Sequence, residues 1–555
     1  MSEPFIPAAL SSLAAAAQAG WLSGLRFIPP GTLTPHDGVV YRSRGVVLVI
    51  GDSPAAVAAA RELSARAPKL RIALFVPGVG SQQDLPSSIT PVGGRIVSLE
   101  GHLGQFTAAV RVAVDKVEDA GIFSANADRR FDLVLDLCRE PLLRQEVPPY
   151  GYYAPRGDAA ATVRALDSLP QLTGDFFKPG YVALRPQLCT HESMGVAGCR
   201  RCLDVCATEA IQSKGERIEI DPYRCQGCAS CALVCPTGAL TFLQPAPGAL
   251  SHRLDELLTE RARGGKPCVL VVHDAATRHL LPSLDESSAL LEVDPLPAFS
   301  DVLWMTALTR GASGVVLAIA PTTPAKSRLL LEQRLRELRE ILASVGGNPA
   351  TLEIASATDV EPAVDRVWHA ASPLARTAVV KHATGNERRA GFLDLVDAYA
   401  AGDLAGGGSI RAEPCALQPG AAFGAVAIDP VKCTICHACT HLCPTGALSG
   451  QLDLAPRVLF MESLCVQCNL CRAGCPEQAI SLQARFLPDA EARQTPRELA
   501  RDQFVACRGC GIPFIGQRKL AMSLALMESH AKDMPGGIDS LRMCPDCRRR
   551  EPDGV

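Results

Sequence analysis

The stretch Cys433-Thr-Ile-Cys436-His-Ala-Cys439-Thr-His-Leu-Cys443-Pro444 decides how this chain is read. It recurs as Cys465-Val-Gln-Cys468-Asn-Leu-Cys471-Arg-Ala-Gly-Cys475-Pro476. Three thiolates two residues apart can wrap one face of a metal group in a tight loop. A fourth, three residues further on, points away toward a neighbouring group. A zinc site takes four ligands, so eight cysteines at this spacing argue against zinc here.

A second, altered copy lies earlier in the chain. Cys225-x2-Cys228-x2-Cys231-x3-Cys235-Pro236 is intact, whereas its partner reads Cys189-x9-Cys199-x2-Cys202-x3-Cys206-Ala207. Widening one loop from two residues to nine costs about 1.3 kcal/mol of closure entropy. That is small beside metal–thiolate bonding. All four quarters end alike, as Cys206-Ala-Thr-Glu-Ala-Ile, Cys235-Pro-Thr-Gly-Ala-Leu, Cys443-Pro-Thr-Gly-Ala-Leu and Cys475-Pro-Glu-Gln-Ala-Ile. The chain therefore holds two copies of a module that is itself duplicated.

Each copy resembles the bacterial 2×4Fe–4S ferredoxin family over roughly 60 residues. The resemblance implies two short helices, two small hairpins and one-electron transfer. It also implies that the fourth cysteine of each run serves the other cluster of its pair. The expected sets are Cys433, Cys436, Cys439 with Cys475, and Cys465, Cys468, Cys471 with Cys443. In the first module they are Cys189, Cys199, Cys202 with Cys235, and Cys225, Cys228, Cys231 with Cys206. Four 4Fe–4S clusters follow. Cys189 has an alternative reading as a free surface thiol, the cluster then lacking one ligand or recruiting nearby His191.

The 23 cysteines stand out in a chain of 555 residues that is 47% hydrophobic and 20% charged, with a net charge of −3. Large packed cores are possible. No clustered basic face points to nucleic acid, and aromatics are only 5%, too few for a base-stacking surface. Residues 1–20 carry Glu3 and no Lys or Arg, which argues against an export signal. No run of 18 apolar residues occurs, so no membrane insertion is expected. A cytoplasmic address makes metal binding the leading use of the cysteines.

The tail holds Cys507-x2-Cys510-Gly511 and Cys544-Pro-Asp-Cys547, two pairs 33 residues apart. They resemble the knuckles of a zinc ribbon and are expected to hold one structural zinc, with rubredoxin-like iron or no ligated metal as the alternatives. Cys138 and Cys268 border strands and read as small buried hydrophobes. Cys415 is unassigned.

The fold class expected is multidomain, α/β plus α+β. An α/β domain spans 1–180 and opens as strand Gly45–Ile50, helix Pro54–Arg66, strand Leu70–Val76, with a further strand at Phe131–Leu137. Modules follow at 181–245 and 426–485. A second α/β domain spans 246–385, with strands at Cys268–Val272 and Gly314–Ile319 and a helix over Ala325–Ser344. Residues 386–425 read as a linker, and 486–555 as the four-cysteine tail. The Ala-rich segment Ala8–Leu25 reads as a helix. Gly51-Asp-Ser53-Pro-Ala-Ala56 sits where a dinucleotide phosphate loop would, but two of its three glycines are replaced. Helix capping by Asp52 or Ser53 and Pro54 in the first turn explain it without a ligand.

Gly311-Ala-Ser-Gly-Val-Val316, with the long helix after it, resembles the delta subunit of methyl-viologen-reducing hydrogenase. That family places cysteines where this chain has Ala320-Pro-Thr-Thr-Pro324, so scaffolding or docking is implied there. The whole order of parts resembles the large iron–sulfur proteins that accompany bacterial formate dehydrogenases and their molybdoenzyme chaperones. The carrying residues are Asp132–Leu137, Pro148-Pro-Tyr-Gly-Tyr-Tyr153, Phe177-Lys-Pro-Gly180 and Gly198-Cys-Arg-Arg-Cys202. The resemblance implies an electron carrier with a redox protein partner, a formate dehydrogenase or its chaperone. An accessory role in maturing that enzyme is the alternative. No Ser/His/Asp order, paired-carboxylate motif or intact phosphate loop marks a catalytic site.

Overall fold

Strand Val46–Ile50 is buried at every position, and its alternating side chains divide two cores. Val47 and Val49 join Ala56, Ala60 and Leu63 of helix Pro54–Arg66, while Val46, Leu48 and Ile50 join Phe75, Phe106 and Phe131. A strand covered on both faces belongs at the centre of a parallel sheet. The order is Tyr152–Tyr153, Leu133–Asp136, Val46–Ile50, Arg71–Phe75, Ile89–Val92, with every neighbour parallel. A Cβ on Gly51 would fall 2.6 Å from that of Ala56, so close packing of the helix on the strand end already requires this glycine.

This computed structural model describes residues 25–28, 38–78, 84–371, 388–405, 413–527 and 538–550, without the single residues 53, 114, 247 and 454. The helix expected over 8–25 therefore lies outside the described residues apart from Leu25, and so does Ser53.

The second α/β unit is a four-stranded parallel sheet in the order Ser288–Glu292, Val269–His273, Gly314–Ile319, Leu352–Ser356. Helix Ala325–Ser344 buries Leu331, Leu335, Leu338 and Leu342 against it. The stretch expected as a linker over 386–425 differs from that expectation. It opens with helix Arg388–Ala405, which buries Phe392, Val396 and Tyr399 in the same core. Their helical spacing gives an apolar stripe that stabilises a packed helix better than a tether. Further on, Cys415–Ala416 and Gly424–Ile428 both pair with strand Ile480–Phe486.

Each cysteine-rich segment folds into two short helices and paired strands. In the first, the helices are Arg201–Val205 and Ser230–Val234. Strand Val182–Leu184 closes on Leu240–Phe242, and Ile211–Lys214 forms a hairpin with Arg217–Ile220. The second repeats this plan with helices Ala438–Leu442 and Leu470–Ala473 and hairpin Leu448–Gln451/Arg457–Phe460. The widened gap holds its own small hairpin, Glu192–Ser193 with Val196–Ala197. No described helix is long and apolar enough to cross a membrane.

Candidate metal centres

In three of the four quarters the backbone itself is bent to gather thiols. Ile435 and His437, Gln467 and Asn469, and Gly227 and Ala229 all take left-handed conformations between their cysteines. Such conformations persist where the surroundings over-determine them, and they turn successive amides into a concave, anion-binding face. The fourth quarter lacks this pair. There Met194 and Gly195 are left-handed instead, at the turn of the inserted hairpin.

In the structure the last cysteine of each run lies with the first three of its partner run. Cys475 lines one cavity with Cys433, Cys436 and Cys439. Cys443 lines another with Cys465, Cys468 and Cys471. Cys235 lines a third with Cys189, Cys199 and Cys202. Cys206 lies within electrostatic reach of Cys225, Cys228 and Cys231. Every thiol stands free of disulfides.

The 4Fe–4S dicluster domain family matches residues 197–239 and, separately, residues 432–480. The chain is an iron–sulfur protein. It is also similar to formate hydrogenlyase subunit 6 of Escherichia coli (strain K12), 28% identical over 127 residues, covering 22% of this chain and 71% of that protein.

The donor sets fit such a group chemically. Burial first, then the neighbouring Cys433, Cys436 and Cys475, push the Cys439 thiol up to about 12. Burial and then Cys199, Cys235 and Cys189 do the same to Cys202, also to about 12. Cys231 is raised well above its ordinary value by burial and by Cys228, Cys225 and Cys206. Four gathered thiolates repel one another unless a cation lies among them, and a coordinating metal deprotonates its thiols outright. Polar hydrogens also point at sulfur. The amide of Ala210 donates to Cys206 Sγ at 3.3 Å, that of Ala479 to Cys475 Sγ at 3.4 Å, and Gln467 Nε2 to Cys465 Sγ at 3.3 Å. Thr208, Thr237 and Thr445 hydroxyls lie 3.5, 3.7 and 3.6 Å from Cys206, Cys235 and Cys443 Sγ, which accounts for the Cys-x-Thr endings.

Cys189 lies in its cavity beside the three cysteines of regular spacing, with the His191 amide hydrogen-bonded to its sulfur. His191 is only 5% exposed, and both ring nitrogens are engaged, Nδ1 with the Cys199 carbonyl and Nε2 with Ser213 Oγ, each at 2.8 Å. The ring is thus committed to bracing the inserted hairpin.

In the tail, hairpin Phe504–Ala506/Pro513–Gly516 presents Cys507 and Cys510, and helix Pro545–Arg550 brings Cys547. Sγ atoms of Cys507, Cys510, Cys544 and Cys547 all lie within 4.8 Å of one another. The Cys544 amide donates to Cys507 Sγ at 3.1 Å. That bond first, with help from the Cys510 and Gly509 amides, draws the Cys507 thiol down to about 6.

Cys268 is buried, as expected, while Cys138 and Cys415 are half-buried. Burial and then Asp136 push Cys138 up to about 12, in keeping with an inert thiol.

Sequence reasoning missed the cations that surround the modules. Arg388 Nη2 donates to the Leu233 carbonyl at 2.9 Å and to Asp301 Oδ1 at 2.8 Å. Arg389 Nε donates to the Ser463 carbonyl at 2.6 Å and Nη1 to that of Ala422 at 3.0 Å. Two successive residues thus hold one module each. Lys178, 1% exposed, donates to the Cys225 carbonyl at 2.9 Å. Only their place in the fold distinguishes these residues from surface arginines and lysines.

Proposed function

We propose that this chain carries electrons through four 4Fe–4S clusters, one in each cysteine quartet, and serves a formate dehydrogenase or related molybdoenzyme in the cytoplasm. The observation that carries the reading is the exchange of Cys443 with Cys475, and of Cys206 with Cys235, between paired sites. When bound, such a cluster supplies one-electron chemistry without atom transfer. The chain's own residues hold it with four thiolates, donate amides to its sulfurs, and shield it behind Ile435, Leu470 and Val466. The tail quartet would hold one zinc, closed and redox-inert.

The formate link rests on the similarity to a formate hydrogenlyase subunit and on the order of parts along the chain. The test mixes anaerobically purified protein with a formate dehydrogenase from its own cells and adds formate. Bleaching of the visible cluster absorbance, dependent on both enzyme and formate, is the expected result. Clusters that bleach with dithionite but never with formate and enzyme would remove formate oxidation from the reading.

A further inference from the structure

Among the described residues the two modules meet beside Gly198. A Cβ on Gly198 would fall 2.7 Å from Leu470 Cγ, so the first module's loop packs directly on a helix of the second. Beside this contact Arg201 reaches across. Its Nη1 donates to the Val466 carbonyl at 3.1 Å, and its Nη2 to those of Ala421 at 3.1 Å and Gln467 at 3.3 Å. Nε donates to the Gly420 carbonyl at 3.3 Å. Nη1 also lies 3.8 Å from Cys199 Sγ. One guanidinium thus touches a sulfur of one quartet and the loop between Cys465 and Cys468 of another.

The acceptors matter as much as the geometry. Carbonyl oxygens satisfy the donors of a guanidinium without neutralising its charge. Among the described residues, no carboxylate lies within 4.0 Å of Arg201 to form an ion pair. Cys468 is within electrostatic reach of Cys199. Inside each module, Cys231 is likewise near Cys202, and Cys471 near Cys439. The quartets therefore follow one another in a row, from Cys225 through Cys189 and Cys465 to Cys433.

We infer that Arg201 is the positioning residue of the inter-module junction, fixing the Cys199 and Cys465 quartets side by side and raising the potential of the clusters they hold. This deepens the four-cluster reading and rests on it. At the junction one electron leaves the reduced cluster of one quartet and enters the oxidised cluster of the other. The first returns to its oxidised form and the second becomes reduced, with no bond or proton transferred. An uncompensated positive charge favours the reduced, more negative state, so it raises the potential.

The test uses the full-length protein, reconstituted anaerobically, with dithionite as reductant and EPR-monitored redox titration as readout. Arg201→Gln should keep the wild-type iron content and shift part of the cluster signal to more negative potential. Arg201→Lys, which keeps a charge, should restore most of that shift. Full iron with an unchanged titration in Arg201→Gln overturns the inference, and so does an Arg201→Lys titration identical to that of Arg201→Gln. If Arg201→Gln does not assemble, Gly198→Ala tests the same junction, because its Cβ would meet Leu470 Cγ and the Thr190 carbonyl, each at 2.7 Å, and the contact must open. The magnetic interaction between reduced clusters should then weaken, and an unchanged interaction with full iron overturns the junction. Failure of the four-cluster reading is distinct, because it appears as no more than about eight irons in the fully reconstituted, unmutated protein.

Discussion

Cys475, the last cysteine of its run, lies not with Cys465 but in the cavity of Cys433. The two runs are therefore interdependent, and each contributes the fourth cysteine of the other's cavity. Cys475→Ser should damage the cluster of the Cys433 set and spare that of the Cys465 set, while Cys443→Ser should do the reverse. Loss of one corner iron gives a 3Fe–4S centre, visible by EPR in the oxidised state. Mössbauer and EPR spectra of the two variants should differ from each other. Identical spectra would return each cysteine to its own run.

The inserted hairpin places Cys189 on a longer loop than its three partners. Its cluster should be the most readily lost of the four. Cys189→Ser should increase the 3Fe–4S signal after brief air exposure, and Cys415→Ser should not. Because His191 is bound through both ring nitrogens, it should not replace the missing ligand. Cluster content and spectrum of Cys189→Ser equal to wild type would make Cys189 a free thiol.

The tail should retain about one zinc after oxygen has destroyed the clusters, since zinc has no redox chemistry. The Cys544 amide, donating at 3.1 Å, draws the Cys507 thiol down and favours the charged form that a cation takes. Cys507→Ser should abolish the zinc and leave the iron unchanged, as measured by plasma emission analysis. Zinc content insensitive to this change would reject the site.

Glu462, 4% exposed, accepts hydrogen bonds from Arg485 at 3.0 and 2.7 Å and from Arg497 at 2.7 Å. Burial raises its carboxyl, but these bonds outweigh burial and hold it below the usual carboxylate range. A carboxyl held low in the folded state stabilises fully above its unfolded pKa, about 4.3, and loses that contribution as pH falls through the folded value. Glu462→Gln should therefore destabilise the second module by roughly 2 kcal/mol, because both arginines keep some exposure. The difference should stay constant from about pH 5.5 to 8, a window wholly above the unfolded value. Anaerobic urea denaturation followed by cluster absorbance checks this, and a difference that varies across that window would contradict it.

Much of the architecture was legible because it rests on local patterns. Strand Gly314–Ile319 and helix Ala325–Ser344 fall where apolar runs and leucine spacing put them. The repeated Cys-x2-Cys-x2-Cys-x3-Cys runs are plain in the sequence, whereas the exchange of their last cysteines was an expectation from family resemblance. Helix Arg388–Ala405 was hidden, because a neighbouring Gly- and Ala-rich stretch reads as a linker and its stripe gains meaning only against a core. The antiparallel ribbon of Arg95–Glu100, Thr107–Ala113 and Lys116–Asp119 was also unread, since short half-exposed strands carry little periodic signal. The roles of Arg201, quoted only as part of Gly198–Cys202, and of Arg389 were hidden for another reason. Their partners are carbonyls far away in the chain, and no sequence pattern marks a long-range carbonyl acceptor.

The most direct test of the account is the iron and acid-labile sulfide content of protein purified without oxygen and fully reconstituted. Four quartets with four thiolates each predict about sixteen irons and about sixteen sulfides per chain. A fully reconstituted protein holding no more than about eight irons would contradict the four-cluster assignment.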